Sequence, residues 1–128
     1  MSAGPYLLDT HVILWIFGDS SLLSKHAASA IRKGELIVSV ASFWEVVIKS
    51  RKGQLDVLDP VPWWDRVVRD LNATVLSIRQ AHVVALAPLA QHHNDPFDRI
   101  MIAQVIAEGY TMITSDSAMN KYPVKTLW

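Results

Sequence analysis

The chain contains no cysteine. Disulfides and thiolate metal sites are therefore excluded, and a reducing compartment fits this composition. Neither sign of charge is in excess, since 12 Lys plus Arg balance 12 Asp plus Glu. A protein-wide basic field for nucleic acid is missing, so any such contact would rest on a local patch. Long hydrophobic runs are absent too. The apolar stretch Val12–Phe17 is far too short to span a bilayer. Met1–Leu8 has neither the basic start nor the long apolar run of a secretion signal. A cytoplasmic protein without membrane contact is expected. No repeat, linker or low-complexity tract interrupts the chain.

What is present is a core-forming sequence the size of one domain, with 128 residues and 51% hydrophobic side chains. Short apolar runs alternate with helical patterns. Tyr6–Leu8, Leu36–Val40, Thr74–Ile78 and Tyr110–Thr114 read as strands, with Val124–Leu127 as a short fifth. Helices are expected over His11–Phe17, Leu22–Lys33, Phe43–Lys52, Trp63–Leu71, Arg79–Ala87 and Pro96–Glu108. Gly34, Gly53, Pro88 and Gly109 close four of them. Strands that are apolar throughout, alternating with helices, indicate an α/β fold. Its expected form is a single domain over residues 1–128, with a central parallel sheet of four to five strands and helices on both faces. Sites in such sheets form at the carboxyl ends of the strands.

Acidic residues recur at those ends. Asp9 follows the first strand and suits an N-cap. Glu45 stands three residues after Ser42, the spacing of a capping box, and one turn before Lys49. Asp116 follows the fourth strand and suits the cap of a short helix. In "NDPFDRI", Asp95 would be an N-cap, Pro96 the first helical residue and Asp98 the third. Each local role is adequate alone, yet three of these acids sit where a strand gives way to a helix, and Asp98 opens another helix. With the first and fourth strands adjacent, Asp9, Glu45, Asp98 and Asp116 converge. Carboxylates so close resist joint ionisation. A hard divalent cation such as Mg²⁺ or Mn²⁺ resolves the conflict, because it prefers oxygen ligands. Asp98 shares a helical face with apolar Ile102 and Val105, so it belongs to a buried stripe. Asp98 is accordingly assigned to the site, and Asp95 to the cap.

In order, "LLDTHVILW", "SFWEVVIKSRKGQL", "HHNDPFDRIMIAQ" and "MITSD" resemble a PIN-domain ribonuclease, specifically the VapC-type toxin of type II toxin–antitoxin modules. The resemblance spans almost the whole chain and rests most on "HH-x-DPFDR" following "WE-x-x-IK". It implies an acidic set at Asp9, Glu45, Asp98 and Asp116, with the Thr114 hydroxyl in support. It also implies Mg²⁺- or Mn²⁺-dependent cleavage of RNA, a homodimeric toxin, and inhibition by a small antitoxin. Asp9 and Asp98 are the expected direct metal ligands, with Asp116 beside them and Glu45 acting directly or through water. An incomplete acidic set would instead suit a non-catalytic PIN-like RNA-binding or scaffold protein. Response-regulator phosphoacceptors and haloacid-dehalogenase-type phosphatases do not fit. The first pairs acids before the acceptor strand, and the second wants an Asp where His11 stands.

Other residues have two readings. Lys49 either pairs with Glu45 or meets phosphate, whereas Arg51 and Lys52 suit a solvated face. Arg99 either braces an acid or touches RNA. His92 and His93 are adjacent, so their rings rarely reach one metal; loop histidines near the RNA path are expected. Trp15, Trp44, Trp63 and Trp64 have apolar helical neighbours, which suits core or interface positions better than base stacking.

Overall fold

The computed structural model describes residues 4–128. One sheet contains β1 (Tyr6–Leu8), β2 (Leu36–Ser39), β3 (Thr74–Leu76), β4 (Thr111–Ile113) and β5 (Lys125–Leu127). The strand order is β3-β2-β1-β4-β5, and every neighbouring pair is parallel. The helices are α1 (Thr10–Phe17), α2 (Lys25–Lys33), α3 (Val40–Arg51), α4 (Pro60–Leu71), α5 (Gln80–Leu86) and α6 (Pro96–Glu108). Short 3-10 turns cover Ser20–Leu22 and Ser117–Lys121.

Consecutive strand residues face opposite sides of a sheet. Leu7 and Leu8 are both fully buried, so both faces are covered. Leu7 packs into a cluster with Ile37, Leu76 and the α6 residues Met101, Ile102 and Val105, with α5 residues against its border. Leu8 joins the opposite cluster with Val12 and Ile13 of α1, Ala27 and Ala30 of α2, and Trp64 and Val67 of α4. Helix α6 is buried continuously from Ile100 to Val105. Gly109, at φ +73°, turns the chain out of α6 in the left-handed region where a side chain would be strained.

Several boundaries depart from the sequence expectation. The helix expected over Leu22–Lys33 begins only at Lys25, because Ser24 is extended and its Oγ accepts the Ala27 N–H at 3.0 Å. Leu22 instead ends a 3-10 turn capped by Asp19. Helix α4 starts at Pro60 rather than Trp63; both prolines fit its first turn, where no N–H partner is required. Helix α3 begins at Val40, directly after β2, and its cap is Ser39, whose Oγ accepts the Ala41 N–H at 3.0 Å. The Ser42–Glu45 capping box therefore does not form, since both residues already lie inside the helix. Ser42 instead shares a 2.8 Å hydrogen bond with Thr10.

The chain runs from β1 outward to β2 and β3, then returns to place β4 on the other side of β1. The carboxyl ends of β1 and β4 flank the crevice created by that reversal, where open α/β sheets place their sites. Asp9 stands at one end and Thr114 at the other.

Candidate active site

Asp9 is the residue at the N-cap of α1, yet its side chain makes no capping hydrogen bond. Asp9 is 5% exposed, and its Oδ2 accepts the Thr114 hydroxyl proton at 2.7 Å. Oδ1 is buried without a partner. Burial raises the Asp9 carboxyl above its ordinary range. The Thr114 bond and the charge of His11 work against that, and Glu45 adds to it.

Glu45 is brought in by α3 and is 2% exposed. Its Oε2 accepts from Lys49 Nζ at 2.5 Å, the pair expected from one helical turn of spacing. Oε1 is buried and unpartnered. For Lys49, burial pushes the ammonium down, but the bond to Glu45 and the fields of Glu45, Asp95 and Asp98 outweigh it, and the net direction is upward. Lys49 thus faces the acids rather than open solvent.

The two aspartates of "NDPFDRI" differ in their contacts. Asp95 caps α6 through Oδ1, which accepts the Phe97 N–H at 2.8 Å. Asp98 sits half-buried in the first turn, and none of the hydrogen bonds among the described residues reaches its carboxylate. Its pKa is raised to about 7, chiefly by burial and then by Asp9, Asp95 and Glu45, with His93 opposing. Asp9, Glu45 and Asp98, which arrive on three different elements, therefore share one electrostatic environment.

Asp116 is arranged differently. Its Oδ1 accepts the Ala118 N–H at 3.0 Å and caps the second 3-10 turn. Its Oδ2 accepts from His93 Nε2 at 3.1 Å. Burial raises the carboxyl, but the His93 and Ala118 bonds and the charges of His93 and His11 prevail, leaving it below its ordinary range. Asp116 joins the other acids through Thr114, which is buried and whose Oγ1 accepts the Asp116 N–H at 3.1 Å while donating to Asp9. Among the described residues no three His, Asp or Glu side chains stand together in a set that could hold a metal as they are. The fold couples Asp9, Glu45 and Asp98, while Asp116 connects to Asp9 through Thr114 and is turned toward His93.

Among the described residues Arg99 forms no ion pair with an acid. Its guanidinium donates to the carbonyls of Ala90 at 3.0 Å and Leu89 at 3.4 Å, bracing the loop before α6. His92 packs edge-on to Tyr122, and His93 lies beside the same ring. The contributions of Ser42 and Tyr122 are not visible in the sequence, because their partners lie 32 and about 30 residues away. The doubled histidine was the available pointer to this loop. Of the tryptophans, Trp64 is buried and stacks on Phe43 at 5.0 Å. Trp44 is 54% exposed and meets Phe97 edge-on.

A parallel sheet with this strand order and an acidic crevice at its switch point defines a class, and the chain belongs to the PIN domain family, which it matches over residues 6–125. It is 28% identical over 127 residues to Ribonuclease VapC22 of Mycobacterium tuberculosis, covering 95% of this chain and 97% of that protein. Two solved structures share the fold. One is VapBC2 from Rickettsia felis bound to a DNA fragment from their promoter, with TM-score 0.72, 11% identity, and coverage of 94% of this chain and 96% of that one. The other is DNA-bound VapBC from Salmonella typhimurium, with TM-score 0.70, 14% identity, and coverage of 98% and 97%.

Proposed function

We propose that this protein is a VapC-type toxin, an endoribonuclease that hydrolyses RNA phosphodiester bonds with Mg²⁺ or Mn²⁺. The observation that carries this reading is the pair of buried, unpartnered carboxylate oxygens, Asp9 Oδ1 and Glu45 Oε1, beside Asp98. A buried anion without a partner is costly, and hard divalent cations are the ligands that oxygen donors of this kind satisfy. The donor set thus fits such an ion. Asp9, Asp98 and Asp116 would hold it, with Glu45 contributing directly or through water. Bound there, the cation supplies Lewis-acid activation of water and stabilises phosphoryl charge.

The chain's own groups prepare the site. Thr114 fixes one oxygen of Asp9 and leaves the other free. Lys49 holds Glu45 by one oxygen and compensates part of the acidic charge. Asp95 and Arg99 set the start of α6 and the loop before it, and so fix where Asp98 stands.

The relative's name and the fold shared with VapBC complexes support a small cognate antitoxin as partner. A homodimer is part of the same reading. Trp44 of α3 and Val83 and Val84 of α5 are each more than half exposed. Trp44 and Val83 line a groove of about 490 Å³ whose walls include Ile48, Leu86, Phe97 and Ile100 and expose no polar surface. Exposed apolar area of this kind supports an interface here. Cytoplasmic residence goes with the reading; among the described residues no helix is long and apolar enough to cross a membrane.

The test is cleavage of a labelled single-stranded RNA by the purified chain with Mg²⁺, with Mn²⁺ and with excess EDTA. Cleavage should require the cation and vanish in Asp9→Asn. Undiminished cleavage in EDTA overturns the metal, and undiminished cleavage by Asp9→Asn overturns the site.

A further inference from the structure

The imidazole of His93 lies between two groups that belong to different segments. On one side, its Nε2 is 3.1 Å from Asp116 Oδ2. On the other, its Nδ1 is 3.3 Å from the hydroxyl oxygen of Tyr122. The tyrosine is buried, and its oxygen also accepts the backbone N–H groups of His92 at 3.1 Å and His93 at 2.9 Å. Those two N–H groups take up the lone pairs of the phenol oxygen, so the phenol proton points to Nδ1. In the neutral ring Nδ1 then accepts, and Nε2 carries the proton and donates it to Asp116; the imidazolium donates to Asp116 through Nε2 as well. A directed chain results: Tyr122 O–H to His93, His93 to Asp116, and the Asp116 N–H through Thr114 to Asp9.

We propose that His93 is a positioning residue that fixes the carboxylate of Asp116 and links the loop leading into α6 to the carboxyl end of β4. This rests on the acidic-site reading above. The Ala118 N–H alone holds one oxygen of Asp116 and leaves the carboxylate free to swing about that contact. The Nε2–H of His93 supplies the second point and sets its plane. The same ring is anchored by Tyr122, which holds the backbone two residues before Asp95 and five before Asp98. One side chain thereby ties Asp116 and the segment of Asp98 together. Outer partners that orient metal-binding carboxylates typically matter by ~10- to 100-fold in metal affinity or activity.

The experiment uses the full chain, Mn²⁺ alone as the binding probe by titration calorimetry, and steady-state cleavage of a labelled RNA. His93→Ala should weaken Mn²⁺ binding by ~10- to 100-fold and lower kcat, with KM for RNA little changed. His93→Gln, whose amide N–H reaches about as far as Nε2, should recover most of both. In an Asp116→Asn background, His93→Ala should add little, because its effect passes through Asp116. Should His93→Ala not fold, His93→Asn takes its place, since its amide is too short to reach Asp116. Wild-type Mn²⁺ binding in the truncated variant overturns the proposal. So does equal damage in the Ala and Gln variants, or a full additional loss on the Asp116→Asn background. If Asp98→Asn binds Mn²⁺ and cleaves RNA as the unmodified chain does, it is the acidic-site reading that has failed.

Discussion

Replacing Asp98 by Asn removes a charge that the folded protein resists. Asp98 has an ordinary pKa of 3.8 and is raised to about 7, first by burial and then by Asp9, Asp95 and Glu45. A carboxyl whose folded pKa lies above its unfolded value binds its proton more tightly when folded. Its favourable contribution is complete below pH 3.8, is lost as pH climbs toward about 7, and stays lost above. The gap between the two values sets a ceiling of ~4 kcal/mol, at ~1.4 kcal/mol per pH unit. Asp98 keeps partial solvent contact, which screens its neighbours, so ~2 kcal/mol is the working figure. Asparagine is nearly isosteric and, among the described residues, breaks no hydrogen bond at this position. Without divalent cation, the variant should match the unmodified chain at pH 4 and exceed it at pH 8.5 by roughly 6–10 °C in Tm for a domain of this size. Differential scanning calorimetry in EDTA at several pH values measures this, and taking the difference between proteins cancels groups common to both. Added Mg²⁺ at pH 8.5 should raise the Tm of the unmodified chain more than that of the variant. A Tm difference that is flat across pH, or a variant less stable at pH 8.5, would refute the electrostatic reasoning.

Other perturbations have separate signatures. Asp95→Ala deletes the cap of α6 and should cost roughly 0.5–2 kcal/mol by denaturant unfolding, with cleavage retained. Abolished cleavage in a fully folded Asp95→Ala would show that the two aspartates had been assigned the wrong way round. Ser39→Ala removes the cap of α3 and strips Gln104 Oε1 of its 2.6 Å donor inside the core, so a loss of ~2–3 kcal/mol is expected. A loss below 0.5 kcal/mol (~0.5 on the scale of surface substitutions) would mean that this buried polar link carries no stability. Trp44→Glu together with Val83→Glu should convert a dimer to monomer in light scattering, without changing the circular dichroism. An unaltered mass would place the dimer contact elsewhere.

Local chemistry made much of this molecule readable before folding. Apolar runs such as "YLL" and "LIVS" declared buried parallel strands, because only a sheet covered on both faces needs apolar residues at every position. Asp95 before Pro96 declared a helix start, and Gly109 declared its end, since both act within one turn of chain. Element starts were less legible where two local signals competed. Ser24 broke the first turn away from α2, and Ser39 took the capping role that the spacing of Ser42 and Glu45 suggested. As candidates the acids were also legible: Asp9 and Asp116 each follow a strand and Asp98 opens a helix, whereas Glu45 lies inside α3. Their individual states were not. Asp9 and Asp116 look alike in sequence, each following a strand. Folding leaves an oxygen of Asp9 buried and unpartnered, but gives Asp116 donors on both oxygens. The difference comes from His93, which reaches Asp116 across 23 residues and is itself anchored by Tyr122 across 29, and from β4 lying beside β1. Desolvation and Coulomb interaction depend on distance through space, which chain order does not specify.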